Sequence, residues 1–171
     1  MKTIGMIGGM SWESSSVYYR LINEEVRQRL GGHHSAKSVM VSVDFAEIEE
    51  MQRAGDWESA GEAMAEAARN VEAGGADFLL ICTNTMHKNA PEVEAVVDIP
   101  LLHIASATAK AVKEHGISSV GLLGTRFTME EDFYIDRLRQ EGLKVLVPGE
   151  NDRSEVDRII FEELVFGDIR L

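Results

Sequence analysis

Short apolar segments alternate along the chain with segments of helical periodicity, and this alternation restricts the folds that the chain can adopt. Apolar runs of the length of a strand occupy residues 3–7, 39–43, 78–81 and 101–102. The segments between them carry apolar residues at helical spacing, as in the stripe of Trp57, Ala60, Met64, Ala67, Ala68 and Val71, and Gly pairs at 31–32 and 74–75 end two of these helices. Asp44, with Glu47, and Asp56 are placed to cap the helices that follow them. The run 78–81 is apolar throughout, which predicts a strand buried on both faces, and residues 145–147 predict a further strand that matches 39–41. Strand followed by helix is the pattern of a parallel sheet covered by helices on both faces. We therefore predict an α/β fold.

The chain also contains an internal repeat. IGMIG at residues 4–8 resembles VGLLG at residues 120–124, and Tyr18 and Tyr134 keep the same spacing of 116 residues. This match predicts two lobes of similar build, a first lobe at residues 1–103 and a partial second lobe at 104–171. A chance match of strand, glycine and helix is the alternative. A complete second lobe would run to about residue 215, so we expect a second lobe that is either naturally reduced or truncated.

Composition excludes several classes of function. The net charge is −12, which disfavours binding to a phosphate backbone. No apolar run approaches the roughly 20 residues of a bilayer span, and glycines interrupt the first strand, unlike a signal peptide. Cys82 is the only cysteine, which excludes an internal disulfide and a zinc site built from several thiolates. We expect a cytoplasmic protein that binds neither nucleic acid nor membrane.

The strongest local motif is the Thr83-Asn84-Thr85 turn that follows the apolar run 78–81. Ligands of parallel sheets bind beyond the carboxyl ends of the strands, and hydroxyl, amide and free backbone N–H groups suit a carboxylate. The alternative is that Thr83 or Thr85 only caps the following helix. Cys82, at the end of the strand, is more typical of a buried small hydrophobe than of a nucleophile.

Two further loops follow strands. GGMSW at residues 8–12 lets the backbone approach a ligand closely, and Ser11 can cap the next helix. GTRFT at residues 124–128 occupies the matching place in the second lobe, where Thr128 and Glu131 also form the pattern of an ordinary capping box. Neither loop has the spacing of a dinucleotide site.

Taken together, these motifs resemble the aspartate/glutamate racemase family, including its hydantoin-racemase relatives. The similar stretches are GMIGGMSWES (5–14), SVDF (42–45), CTNTMHK (82–88), LHI (102–104) and GTRFTM (124–129), and they are most similar to the branch that acts on L-aspartate or L-glutamate. The resemblance implies two α/β lobes related by a pseudo-two-fold axis, with the amino acid between them. It also implies a homodimer that needs no pyridoxal phosphate, metal or nucleotide, and two acid/base groups on opposite sides of the substrate Cα.

The resemblance also implies roles for individual residues. Thr83 takes the acid/base position that is a cysteine in most members, and Cys82 lies one residue early, on the other face of the strand. The residues implied to contact substrate are Met10, Ser11 and Gln52 around its distal part, Thr83, Asn84 and Thr85 around its carboxylate, and Thr125 and Thr128 from the second lobe.

The second family cysteine lies in a Gly-Cys-Thr-Glu motif that this sequence does not contain. The first hypothesis is therefore a cofactor-independent aspartate/glutamate racemase, present here in a shortened form with weak or no activity. The second is a non-catalytic module that binds small carboxylates. The third is an interaction protein, in which a reduced lobe exposes apolar surface and favours a dimer.

Overall fold

The computed structural model describes residues 1–170, which form two compact units, Met1–Leu102 and a second unit that begins at His103. The first unit contains three strands, four α-helices and one 3-10 helix in the order β1 (Ile4–Gly8), α1 (Trp12–Leu30), β2 (Ser38–Ser42), α2 (Phe45–Ala54), α3 (Trp57–Ala73), β3 (Phe78–Ile81), the 3-10 helix (Thr85–Asn89) and α4 (Ala90–Glu94). The α/β prediction is confirmed.

The sheet of the first unit is parallel throughout, with the strand order β2-β1-β3. At two glycines of β1, a helix packs so close to the strand backbone that no room remains for a Cβ. A Cβ at Gly5 would overlap the side chain of Val71 in α3, and one at Gly8 would lie 2.6 Å from Ser15 of α1. Residues three apart on a strand point to opposite faces. Helices α1 and α3 therefore cover opposite faces of the sheet, as the alternating sequence pattern predicts.

The core of the first unit lies between the sheet and α2, α3 and α4. The apolar stripe predicted for α3 is confirmed for Ala60, Met64, Ala67, Ala68 and Val71, which are all buried. Trp57, its first member, is half-buried and packs against the same core. Capping by two aspartates is confirmed as well. Asp44 accepts from the N–H of Ala46 at the start of α2 (3.0 Å), and Asp56 accepts from that of Ser59 at the start of α3 (3.1 Å).

The fourth predicted strand does not extend beyond one bridge, in which Leu101 lies beside Leu79. The Leu79 N–H donates to the Pro100 carbonyl and the Leu102 N–H donates to the Leu79 carbonyl, both at 2.9 Å. Pro100 has no N–H to add a further ladder bond, and His103 already caps the next helix. Burial of β3 on both faces is only partly observed, because Leu79 and Ile81 are buried whereas Phe78 and Leu80 are half-buried.

The second unit, from His103 onwards, has two short parallel strands and its own small core. Its elements are α5 (Ile104–Glu114), β4 (Ser119–Gly121), α6 (Arg126–Glu130), α7 (Asp132–Gln140), β5 (Lys144–Leu146), α8 (Glu150–Glu162) and a 3-10 turn (Leu164–Phe166). The two strands are those predicted around residues 120–123 and 145–147. In the part of the chain that the structure describes, no helix has both the length and the apolar character needed to cross a bilayer.

Candidate active site

The turn after β3 leaves the side chains of Thr83 and Asn84 available to a ligand. Asn84 occupies the N-cap position of the 3-10 helix Thr85–Asn89, but its side chain makes no capping hydrogen bond there and is exposed. Within residues 1–170 the Thr83 hydroxyl also has no hydrogen-bond partner, and Thr85 is buried at the start of the helix. The capping alternative therefore does not hold for Thr83, whereas Thr85 has an interaction within the described residues. The Thr83 hydroxyl and the Asn84 amide can bind an external carboxylate.

His87 holds this turn in shape from inside. Its ring is buried, and Nδ1 lies 2.7 Å from the carbonyl oxygen of Thr83. A carbonyl only accepts, so the proton is on Nδ1 and the Nδ1–H donates. The backbone N–H of His87 donates to the Asn84 carbonyl (3.1 Å). These two hydrogen bonds hold the carbonyl oxygens of Thr83 and Asn84 against the 3-10 helix. The side chains of Thr83 and Asn84 are not used in holding the turn.

Cys82 lies in the core, as its position one residue before Thr83 predicts. The side chain is fully buried, and burial raises the pKa of its thiol to about 12 because the thiolate would lose its hydration. A thiol with such a pKa stays protonated at neutral pH. Cys82 is therefore neither a base nor a nucleophile in this unit.

We expect Cys82 to resist alkylation by iodoacetamide at pH 8 in the native chain. With a pKa of about 12 only about one thiol in ten thousand is ionised, whereas the unfolded chain has a thiol pKa of about 8.5. The intact mass should stay unchanged after incubation in buffer and rise by one adduct in guanidinium chloride. Rapid modification of the native chain would contradict this burial.

The loop after β1 is fastened by two serines of α1. The Ser15 hydroxyl accepts from the Gly9 N–H (2.9 Å) and donates to the Ser11 carbonyl (3.1 Å). The Ser14 hydroxyl donates to the Cys82 carbonyl (2.9 Å). Ser14 therefore connects the start of α1 to the peptide bond that precedes Thr83. Sequence analysis missed both serines, and the signal that could have found them is the Ser14-Ser15-Ser16 run directly after the glycine loop.

Replacing Ser14 with alanine should loosen the Thr83 turn. Loss of one hydrogen bond to the Cys82 carbonyl costs about 1 kcal/mol, and the amide resonances of Thr83 and Asn84 should shift in ¹H–¹⁵N spectra. Ser16→Ala is the matched control, because the Ser16 hydroxyl donates only within α1, to the Glu13 carbonyl (2.7 Å). Unchanged Thr83 and Asn84 resonances in Ser14→Ala would contradict the connection.

Three other residues implied by the resemblance lie in the first unit, and two of them, Met10 and Gln52, are buried. Met10 is buried and belongs to the hydrophobic core. Ser11 occupies the N-cap position of α1, but its side chain makes no capping bond, so the cap expected from the sequence does not form. Gln52 is buried, and its Nε2 donates to the Met86 sulfur (3.0 Å). Gln52 therefore contacts the 3-10 helix directly behind Thr85.

In the second unit, Thr125 is the N-cap of α6. Its Oγ1 accepts from the Thr128 N–H (3.3 Å) and lies 3.2 Å from the Thr128 hydroxyl oxygen. The predicted capping box of Thr128 and Glu131 is wrong, because α6 begins at Arg126 and Thr128 lies inside it. Thr128 is buried. A Cβ added at Gly124 would lie 3.0 Å from the Thr128 side chain.

Comparison with known proteins assigns the chain to a family. The family model for Asp/Glu/hydantoin racemases matches residues 7–168. A Yersinia pestis structure provisionally classed as an Asp/Glu racemase is 52% identical, with a TM-score of 0.91 over 99% of this chain and 74% of that one. An aspartate racemase homologue from Pyrococcus horikoshii OT3 is 36% identical, with a TM-score of 0.81 over 98% of this chain and 74% of that one.

A curated relative is more distant. The broad specificity amino-acid racemase RacX of Bacillus subtilis is 29% identical over 91 residues, which are 53% of this chain and 40% of RacX. The matched part is thus less than half of RacX. The family model, in contrast, spans nearly the whole sequence, and the chain belongs to the Asp/Glu/hydantoin racemase family.

Proposed function

We propose that this chain binds L-aspartate or L-glutamate and exchanges the proton at the substrate Cα without a cofactor. The single observation that carries this proposal is the turn after β3, where the Thr83 hydroxyl and the Asn84 amide remain free of internal hydrogen bonds among residues 1–170. Membership of a racemase family supports the reaction class. The aspartate racemase homologue from Pyrococcus horikoshii, at 36% identity, supports an acidic substrate.

The proposed roles follow from the chemistry of each group. Asn84 donates from its amide to the substrate carboxylate, assisted by Thr85. Neutralising that carboxylate makes the α-proton more acidic and stabilises the charge that develops as it leaves. Thr83 occupies the acid/base position. Met10, Ser11 and Gln52 contribute to the part of the site that receives the side chain. Thr125 and Thr128 are the further substrate contacts that the family resemblance implies.

We propose that the exchange is slow. A threonine hydroxyl is a much weaker base than a thiolate, and Cys82, the only cysteine of this sequence, has a thiol pKa of about 12. Thr83 can therefore act on one face of the substrate at a low rate, and no thiolate of this chain assists it. Weak racemisation by the chain is the expected behaviour.

Deuterium incorporation at Cα tests the reaction directly. Pure chain is incubated in D₂O with L-aspartate, L-glutamate and a panel of neutral amino acids, the last because RacX is described as having broad specificity. Proton NMR should show loss of the α-proton signal of the acidic amino acids above the buffer background, and Thr83→Ala should remove it. Exchange that persists in Thr83→Ala would overturn the role of Thr83.

A non-catalytic carboxylate-binding module is the second candidate, and the buried Cys82 thiol is the observation that favours it. This function predicts saturable calorimetric titration with aspartate while Cα exchange stays at background. A chain that neither binds nor exchanges aspartate or glutamate would refute both candidates. As a further part of the proposed function, the chain forms a homodimer, which the resemblance implies.

A further inference from the structure

One side of the first unit carries an exposed apolar patch, formed by Trp12, Tyr19 and Met40 together with Ser16. Trp12 is 67% exposed, Tyr19 50% and Met40 38%. Trp12, Ser16 and Tyr19 recur at helical spacing on one face of α1, and Met40 lies beside them in a shallow cleft on β2. Exposed aromatic side chains next to methionine are typical of the centre of a protein interface.

The patch adjoins a sheet edge, because β2 is the outer strand of the order β2-β1-β3 and no other strand within residues 1–170 pairs with it. The Val43 N–H donates to the Gly8 carbonyl (3.0 Å) and the Lys37 carbonyl accepts from the Ile4 N–H (2.9 Å). In a parallel ladder, alternate residues face the neighbouring strand. The backbone groups of Ser38, Met40 and Ser42 therefore face away from β1.

This edge lacks the usual protection against pairing. Natural edge strands carry charges, prolines or bulges that prevent another strand from joining, whereas β2 reads SVMVS and pairs residue for residue with β1. The cleft beside it is lined without a charged side chain, although the chain has a net charge of −12. A neutral patch lets two equally charged molecules meet there without local repulsion.

We infer that the β2 edge and the patch on α1 form the interface with a second copy of this chain, which rests on the homodimer of the proposed function. The two β2 strands pair antiparallel about a two-fold axis at Met40, so that each Met40 exchanges both backbone hydrogen bonds with its counterpart. The three-stranded sheets become one six-stranded sheet. Both α1 helices then lie on the same face, with their Tyr19 and Trp12 stripes toward each other, as an isologous interface requires.

Cross-linking tests the axis of this dimer. Paired residues that share both backbone bonds have Cα atoms about 5.5 Å apart, which is within the range of a disulfide. Met40→Cys should therefore give a covalent dimer under mild oxidation, visible on a non-reducing gel. Cys82 is buried, so the native thiol should form no intermolecular disulfide of its own. Leu21→Cys is the control, because Leu21 is more exposed (51%) than Met40 but points about 200° away from Tyr19 around α1.

Disruption provides the complementary measurement. Tyr19→Glu places a charge in the centre of the interface and should raise the dimer dissociation constant by about 100-fold, measured by analytical ultracentrifugation. Leu21→Glu adds the same charge on the other side of α1 and should leave it unchanged. Circular dichroism melting curves verify that each variant is folded.

The outcomes separate the interface from the rest of the proposed function. Cross-linking specific to Met40→Cys, with dissociation specific to Tyr19→Glu, supports the interface. A wild-type dimer that neither Tyr19→Glu nor Met40→Cys affects overturns this interface and leaves the homodimer standing. A wild-type chain that stays monomeric overturns both. Deuterium exchange at Cα is measured separately, so failure of the racemase proposal is recognised independently.

Discussion

Gly9→Ala is expected to destabilise the first unit by about 3 kcal/mol or more. Gly9 has a φ of +101°, which residues with a side chain rarely adopt. A Cβ there would overlap the Val43 carbonyl oxygen and lie 2.8 Å from the Val43 nitrogen. Because both atoms belong to the backbone that follows β2, neither can rotate away as a flexible side chain would. Urea unfolding of the wild type and the variant measures the difference.

Gly31→Ala is the matched control for that substitution. Gly31 also has a positive φ, +74°, but no atom lies within 4 Å of its Cβ position. It therefore carries only the conformational cost of its backbone (φ +74°, ψ −178°), about 1–3 kcal/mol. Equal destabilisation by the two substitutions would show that close packing of Gly9 against Val43 contributes nothing.

Asn84→Asp should reduce the affinity for L-aspartate by about 100-fold, or about 2.8 kcal/mol. The substitution removes the amide donor and places a negative charge beside the substrate carboxylate, and two like charges about 4 Å apart repel by about 4 kcal/mol near a protein surface. Asn84→Ala removes the donor without adding charge and should cost only about tenfold. Isothermal titration calorimetry gives both dissociation constants.

The Asn84 variants should change the affinity for ligand without changing the stability of the fold. Asn84 is exposed and makes no capping hydrogen bond, so the unfolding free energy should change little in either variant. Asn70→Asp adds the same charge to an exposed position near the end of α3 and serves as the control for net charge. Wild-type affinity in Asn84→Asp would show that the turn after β3 does not hold the carboxylate.

Much of the first unit could be predicted from sequence, because its signals are local and repeated. The boundaries of β3 at residues 78–81 are predicted correctly, and Asp56 and the Gly74-Gly75 pair delimit α3 as expected. Both signals depend on the order of residues along the chain alone. The position of Cys82 in the core was also predictable, since the residue that follows it on the strand must face the other way.

Capping was harder to predict where several hydroxyl groups stand close together. Thr125 and Thr128 are three residues apart, and either can cap a helix, so the sequence favoured Thr128 while α6 begins after Thr125. Ser11 lies at the N-cap of α1, but Ser15 takes the hydrogen bonds of the loop instead. The choice depends on where the preceding strand ends, and that is determined by pairing between distant residues.

Burial of Cys82 has a consequence for oxidative stress. Peroxides attack thiolates and convert them to sulfenic and then sulfinic acids, and enzymes with an exposed low-pKa cysteine lose activity in this way. Cys82 offers no thiolate and no access, since it is fully enclosed by the core. A hydroxyl such as that of Thr83 does not undergo this chemistry. The first unit should therefore keep the turn after β3 intact under hydrogen peroxide concentrations that inactivate thiol-dependent racemases.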